Sequence, residues 1–192
     1  MLCALAVLAL VSIASGAADV DPICGFIAAT DVEFLYSEWS CNATGQVTTS
    51  PCDPKWTGIS CGVGSSSGII DQIDLSAVLL NGTLSPSLGQ LTNMRGLYLY
   101  ENLLTGTVPP ELGSLTLLQS ILIHDNFFTS TVPSRLGSMT ALTELLLAIN
   151  PLTGTMPSSM GNFLRLTFFD LYSTSLTGTL PDTLGSLSRL TS

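Results

Sequence analysis

Four cysteines are the residues of this 192-residue sequence most able to form covalent bonds with one another. They are Cys24, Cys41, Cys52 and Cys61. An even set of cysteines in an exported chain predicts disulfides, in any of three pairings. Zinc is the competing interpretation, but there is no C-x-x-C spacing, and the only histidine lies far along the chain. We therefore expect two disulfides, no metal site and no cofactor.

The single histidine, His124, is the other residue whose type and neighbours could support chemistry. Asp125 follows it, and Glu101 lies one 24-residue step before Asp125, so an imidazole and two carboxylates could form an acid–base group. However, the sequence offers no nucleophile beside them in a closed pocket. The repeats described below predict an open sheet, which would exclude little water. We expect no enzymatic activity, and we interpret His124 as a contact residue.

An amino-terminal leader is indicated by the apolar run LCALAVLALVSIA at residues 2–14, with small residues after it. Such a run is typical of a secretory signal and is too short to span a bilayer. We expect removal of residues 1–18, including Cys3, and a secreted or cell-surface protein. No later stretch predicts a membrane span or a lipid anchor. The sequons at Asn42 and Asn81 predict a glycoprotein.

Charge excludes one class of partner. Five basic residues stand against 14 acidic ones, which gives a net charge of −9. Without a basic cluster the chain offers nothing to a phosphate backbone, so we expect no nucleic-acid binding. The acidic residues are dispersed and lack the spacing of a calcium loop.

A repeat of 24 residues fills the second part of the chain. The segment LTGTVPPELGSL at 104–115 recurs at 152–163 and 176–187, and in weaker form at 80–91 and 128–139. Within a repeat, apolar residues spaced by two are followed by a spacing of three and four, which predicts a strand and a helical return. We expect an amino-terminal cap at 19–68 and five repeats at 69–192. Their strands should start near residues 73, 97, 121, 145 and 169.

Asparagines occupy one position of the repeat at Asn102, Asn126 and Asn150. Their amides can bond the backbone groups that are freed where the chain leaves each strand, in their own coil and in the next. Val78 and Thr174 interrupt this ladder at its two ends. In the cap, Thr30 with Glu33 predicts a capping box for a short helix.

The repeat pattern, above all its T-G-x-[VIM]-P piece, resembles that of plant-type extracellular leucine-rich-repeat proteins. The segment from Trp56 through Gly58 and Ile59 to Cys61 is similar to the W-x-G-[VI]-x-C signature of their amino-terminal cap. The resemblance implies an α/β solenoid: a right-handed coil with a parallel concave β-sheet, a second short strand in each repeat and a disulfide-bonded helical cap. It also implies the pairing Cys52 with Cys61, and with it Cys24 with Cys41. Departures from the pattern at Ser85, Ser130 and Pro151 predict loosening of the first, third and fourth coils.

The concave face is the predicted binding surface, because residues that alternate with the buried strand residues point outward there. Tyrosines, carboxylates and aliphatic side chains share this face, a mixture that favours contact with a partner. The candidate contact residues are Asp74, Tyr98, Tyr100, Glu101, Leu122, His124, Asp125, Leu146, Asp170 and Tyr172, with Ala148 and Ile149 in the same columns. Scattered surface apolar residues without a partner are the alternative.

The sequence therefore predicts a non-catalytic recognition module for a protein, peptide or glycan. The resemblance implies the amino-terminal part of a receptor-like ectodomain, with a polygalacturonase-inhibitor-like protein or a cell-wall adhesion module as alternatives. The fifth repeat ends without a carboxyl-terminal cap and leaves an open strand edge. We expect the amino-terminal part of a longer array or of a truncated gene product, with membrane attachment if the chain is a fragment. The isolated chain should fray from its carboxyl terminus or self-associate end to end.

Overall fold

The computed structural model describes residues 21–52, 56–62 and 68–191, so the predicted leader lies outside the described residues. Two helices, Pro22–Ala29 (α1) and Val32–Leu35 (α2), precede the strands. The strands in chain order are Ile59–Cys61 (β1), Ile70–Asp74 (β2), Asn81–Thr83 (β3), Gly96–Tyr98 (β4), Leu103–Thr107 (β5), Ser120–Leu122 (β6), Phe127–Thr129 (β7), Glu144–Leu146 (β8), Thr153–Thr155 (β9), Phe168–Asp170 (β10) and Ser175–Thr177 (β11). The 3₁₀ helices are Pro86–Gln90, Pro110–Ser114, Ser134–Ser138, Ser158–Asn162 and Asp182–Ser186.

The first sheet has the order β1-β2-β4-β6-β8-β10 and is parallel from β2 onward. Residues 24 apart lie opposite each other, as Leu97 does with Ile121. The repeat period therefore equals one turn of a solenoid, and five coils stack through this sheet. The predicted fold, with strands stacked at a 24-residue step, is confirmed.

The second sheet runs along another side of the coils and is interrupted between the third and fourth. One part has the order β3-β5-β7 and the other pairs β9 with β11, with only an isolated bridge from Thr131 to Thr153 between them. Pro151 has no N–H to donate at this point, and Ser130 holds a φ of 70° where other coils have glycine. The departures at Ser130 and Pro151 thus coincide with the break in the second sheet, while the core of both coils stays buried.

The first coil is not loosened at Ser85, so that prediction is wrong. The Ser85 side chain accepts a hydrogen bond from the Ser87 N–H at 3.2 Å and caps the 3₁₀ helix that starts at Pro86. Serine is a good capping residue, and the proline moves to the first helical position that suits it.

A continuous apolar core fills the solenoid. In the second coil Leu97, Leu99, Leu104, Leu112 and Leu115 are fully buried, and Val108 and Leu118 complete the set. Side chains at the equivalent positions of the fifth coil are less covered, since no further coil packs against it within the described residues. Leu180 and Leu190 are exposed there.

The buried asparagines tie each coil to the one before it, whereas the sequence predicted bonds to the next. The Asn126 Nδ2 donates to the carbonyls of Leu99, Ile123 and His124, at 2.9 to 3.2 Å, and its Oδ1 accepts from the Leu104 N–H at 3.0 Å. Leu99 and Leu104 belong to the preceding coil. The Leu99 carbonyl and the Leu104 N–H of that coil are the backbone groups that the Asn126 amide binds. Asn102 and Asn150 make the equivalent bonds. At the end of the ladder, the Thr174 hydroxyl replaces one of them by donating to the Leu171 carbonyl.

The cap is built on two helices and two disulfides. Helix α1 starts at Pro22, with the Asp21 side chain accepting from the Ile23 N–H at 3.0 Å. The predicted capping box is wrong: Thr30 follows the end of α1 and its hydroxyl donates to the Phe26 carbonyl, while Asp31 precedes α2. Thr30 is therefore bound to the preceding helix. The disulfides are Cys24–Cys41 and Cys52–Cys61, the two pairings that the resemblance implies.

Two tryptophans form the centre of the cap. The rings of Trp39 and Trp56 are both buried, and their centroids lie 5.4 Å apart. The Trp39 Nε1 donates to the Thr57 carbonyl at 2.9 Å. Nearby, hydrogen bonding to Thr57 lowers the pKa of Glu38, because it favours the charged carboxylate.

The cap covers the exposed edge of both sheets at the first coil. Strand β1 pairs antiparallel with β2. At the second sheet, the Asp31 N–H donates to the Asn81 carbonyl at 3.0 Å, and the Asn81 N–H donates to the Asp31 Oδ1 at 2.8 Å. Gly82 is required there, since a Cβ would collide with the Ala29 carbonyl. Covering these edges removes unpaired backbone groups that would otherwise bind other chains.

Candidate functional site

The candidate site is the solvent-facing side of the first sheet, which we name the outer sheet face. It comprises four positions in each of five coils, because side chains that alternate with the core leucines point away from the core. The positions, listed by coil, are Gln72, Asp74, Ser76 and Ala77; Gly96, Tyr98, Tyr100 and Glu101; Ser120, Leu122, His124 and Asp125; Glu144, Leu146, Ala148 and Ile149; Phe168, Asp170, Tyr172 and Ser173.

The last position of each coil has a left-handed backbone. The φ angles at Ala77, Glu101, Asp125, Ile149 and Ser173 lie between 52° and 55°. This conformation turns the chain out of the strand just before the asparagine ladder. It is uncommon for any residue with a Cβ and is a genuine outlier for a β-branched residue such as Ile149.

A pair of stacked rings lies in the middle of the outer sheet face. The rings of Tyr100 and His124 are nearly parallel, at 8°, and their centroids lie 4.8 Å apart. The Nδ1 of His124 is buried and has no hydrogen-bond partner. Neither Asp125 nor Glu101 therefore forms a hydrogen bond with the Nδ1 of this imidazole.

Tyr98 extends the aromatic surface at the end of β4, in the same coil as Tyr100. A Cβ on Gly96 would lie 2.6 Å from a ring carbon of Tyr98, so the ring lies over the glycine and occupies the space of a side chain. This packing leaves Tyr98 half-buried. The ring is thereby held against the sheet, which lowers the entropy that binding would cost.

Large apolar side chains are exposed at the other end of the outer sheet face. Tyr172 is 75% exposed, Phe168 is 50% exposed and Ile149 is 44% exposed. Three such side chains on adjacent coils are more than the single scattered apolar residues of an ordinary surface. This end of the face is therefore the more apolar one.

All ten predicted contact residues lie on the outer sheet face, but their depth differs from the expectation in part. Asp74, Glu101, Asp125, Asp170 and Tyr172 are exposed, as expected. Leu122 and Leu146 are half-buried rather than exposed, and Ala148 is buried.

Sequence reasoning missed the first position of each coil on this face. Phe168 and Glu144 are the informative members, since one exposes an aromatic ring and the other a carboxylate that accepts from the Ser120 hydroxyl at 2.8 Å. Extending the period of two backwards from Leu146 and Asp170 would have found them.

The cysteines were the other residues considered as a possible metal site. All four described cysteines are in disulfides, so none can bind zinc. In the described ranges, no group of three potential ligands lies close enough to hold a metal ion.

The sequon residues Asn42 and Asn81 are both exposed. The Asn42 Oδ1 accepts from the Thr44 N–H at 3.0 Å, while Asn81 lies in β3. No helix in those ranges has the length and hydrophobicity needed to cross a bilayer.

Known proteins with similar sequence and fold are leucine-rich-repeat proteins. Residues 93–115 and 165–187 match the Leucine Rich Repeat family model, whereas no curated protein matches the chain. A chain in the crystal structure of the BIR3–SERK2 complex from Arabidopsis thaliana is 27% identical, with a TM-score of 0.73 over 84% of this chain and 86% of that one. The BIR2 ectodomain from the same plant is 26% identical, with a TM-score of 0.73 over 86% of each chain.

A longer structure is similar over most of this chain. It is a chain in the crystal structure of the Arabidopsis receptor kinase HAESA in complex with the peptide hormone IDA and the co-receptor SERK1. The identity is 28% and the TM-score 0.59, over 89% of this chain and 33% of that one. With its 24-residue coils, its T-G-x-[VIM]-P strands and its disulfide-bonded cap, the chain has a leucine-rich-repeat fold and is similar to plant receptor ectodomains of this fold.

Proposed function

We propose that this protein is a non-catalytic extracellular recognition module of a receptor-like protein, and that it binds a peptide or a peptide segment of a partner protein on the outer sheet face. The observation that carries the proposal is the set of exposed and fixed aromatic side chains on that face. Tyr172 and Phe168 project into solvent, and Tyr100 is stacked on His124. Large aromatic residues dominate binding energy at protein interfaces.

The relatives support a peptide in preference to a glycan. HAESA is described in complex with a peptide hormone and a co-receptor, and a second similar chain belongs to a complex of two named proteins. Two other functions were considered: inhibition of a secreted hydrolase and adhesion to wall polysaccharide. No feature of the described residues favours either of them over peptide binding.

Selection from a random heptapeptide library on the immobilised protein tests this function. We expect enriched peptides, and we expect the triple variant Tyr98→Ala, Tyr100→Ala, Tyr172→Ala to weaken their binding by roughly 100-fold or more, since two or more anchors are removed. The double variant Glu111→Ala, Arg135→Ala, changed on the 3₁₀ helices, is the control and should bind as the wild type does. Unchanged binding in the triple variant, or loss in the control, contradicts the proposal.

A further inference from the structure

The carboxylates of the outer sheet face are distributed with one in every coil. In chain order they are Asp74, Glu101, Asp125, Glu144 and Asp170. The other fifteen positions of the face carry no acidic residue and no lysine or arginine. With five carboxylates and no lysine or arginine, the face is acidic along its whole length.

No basic side chain neutralises this charge within the described residues. The described arginines lie elsewhere: Arg95 precedes β4, Arg135 is in a 3₁₀ helix, and Arg165 and Arg189 follow the 3₁₀ helices of the last two coils. None of them forms an ion pair with a carboxylate of the face. The carboxylates that do have partners accept from neutral groups, as Asp170 does from the Tyr172 N–H at 2.8 Å.

The spacing of the carboxylates excludes a single metal ion as the occupant. In the described part of the chain no three ligand side chains converge on one point. Stacked strands lie about 4.8 Å apart, so five coils spread the five charges over roughly 19 Å. Only an extended cationic partner reaches several of them at once.

An extended peptide has matching dimensions. At about 3.3 Å per residue, roughly six residues span the five coils. The aromatic rings add a second attraction for cationic side chains, because an ammonium or guanidinium group binds favourably over the face of a tyrosine. Tyr172, at 75% exposure, presents such a ring beside Asp170.

We infer that the ligand of the outer sheet face is a cationic peptide segment of about six extended residues that carries two or more lysines or arginines. The inference rests on the proposed function and adds the chemistry of the ligand. The negative face attracts the segment, the carboxylates pair with its basic side chains, and Ile149, Phe168 and Tyr172 contact its apolar residues.

The test uses the same random heptapeptide library, scored for composition at low salt and again at 0.3 M NaCl. We expect enrichment of lysine and arginine over the starting library. Each enriched peptide is then measured against two variants of equal net charge. One is Glu101→Gln, Asp125→Asn, which removes two carboxylates that have no structural hydrogen bond. The other is Glu111→Gln, Asp182→Asn, which removes two carboxylates from the 3₁₀ helices.

The face variant should weaken binding by roughly fivefold or more, which is the effect of two exposed ion pairs in the middle of their usual range of strength. The control variant should change it by less than about twofold. Equal weakening by both variants would mean unspecific attraction to a negative protein and would overturn the inference.

Enrichment of uncharged or acidic peptides whose binding still requires the three tyrosines would overturn the cationic ligand and leave the proposed function standing. A library that yields no binding peptide would overturn both. These outcomes separate the failure of the ligand chemistry from the failure of the binding face.

Discussion

Ile149 combines an unfavourable backbone with an exposed apolar side chain. Its φ is 52°. This left-handed conformation raises the free energy of an L-residue by roughly 1–2 kcal/mol, and it is least favourable for a residue with a branched Cβ. The equivalent positions carry Ala77, Glu101, Asp125 and Ser173, all of which lack the branch. The side chain is exposed next to Tyr172. Burial in the core therefore does not offset the cost of the strained backbone.

Replacing Ile149 by asparagine should stabilise the protein. Asparagine tolerates the left-handed region, so we expect the free energy of unfolding to rise by about 1 kcal/mol. Urea unfolding measures the change, with Ile149→Val as the control that keeps the branched Cβ and should give no increase. A lower free energy of unfolding in the asparagine variant would show that Ile149 packs better than its exposure indicates.

Asn126 should be among the polar residues on which the fold depends most. Its amide is buried and satisfies backbone groups of two coils, so Asn126→Ala leaves several of them without a partner. We expect a loss of about 2–4 kcal/mol. Asn162→Ala is the matched control: that side chain is exposed and donates once, to the Gly137 carbonyl at 3.3 Å, so its loss should stay below about 1 kcal/mol. Similar losses in the two variants would refute the role of the ladder.

At the scale of elements, the cap depends on covalent links more than the coils do. Reduction of Cys24–Cys41 and Cys52–Cys61 should therefore loosen the cap first, with each bridge contributing roughly 2–4 kcal/mol. Hydrogen exchange with and without reductant follows this directly. We expect faster exchange at residues 21–52 and little change in the strands of the second and third coils; unchanged protection of the cap would show that the bridges do not stabilise it.

The repeated elements could be predicted because their signals are periodic. The spacing of Leu97 and Leu99, followed by proline and a three-to-four spacing, fixes a strand and a return in every coil. What could not be predicted depends on where neighbouring backbone lies. Asn126 bonds to the preceding coil, and Thr30 ends one helix instead of starting another, because the available partners in space differ from those suggested by sequence neighbours.

The candidate site could be predicted in register but not in depth. Alternation places Tyr98 and Leu122 on the same face, yet it contains no information on how far each neighbour covers the other. The glycine at position 96 allows Tyr98 to fold over the strand, and the stack of Tyr100 on His124 needs a parallel register that only the three-dimensional arrangement gives. Phe168 was missed because the strand was taken to begin one residue too late.

For the whole molecule, export should change the covalent structure of the chain. We expect the secreted protein to begin near residue 19, to contain no free thiol among its four remaining cysteines, and to carry glycans at Asn42 and Asn81, which are both exposed. Mass spectrometry of the exported protein, before and after glycosidase treatment, measures all three properties. An intact Met1 with four free thiols would contradict the extracellular assignment.

The central claim is that one face of the solenoid, the outer sheet face, binds the ligand. Hydrogen exchange of the protein with and without a saturating library-selected heptapeptide tests it most directly, because it locates the contact without any mutation. We predict slower exchange in and just after β4, β6, β8 and β10, around Tyr100, His124 and Tyr172, and no change in the 3₁₀ helices or in β5 and β7. Protection confined to the 3₁₀ helices or to the second sheet would contradict the account.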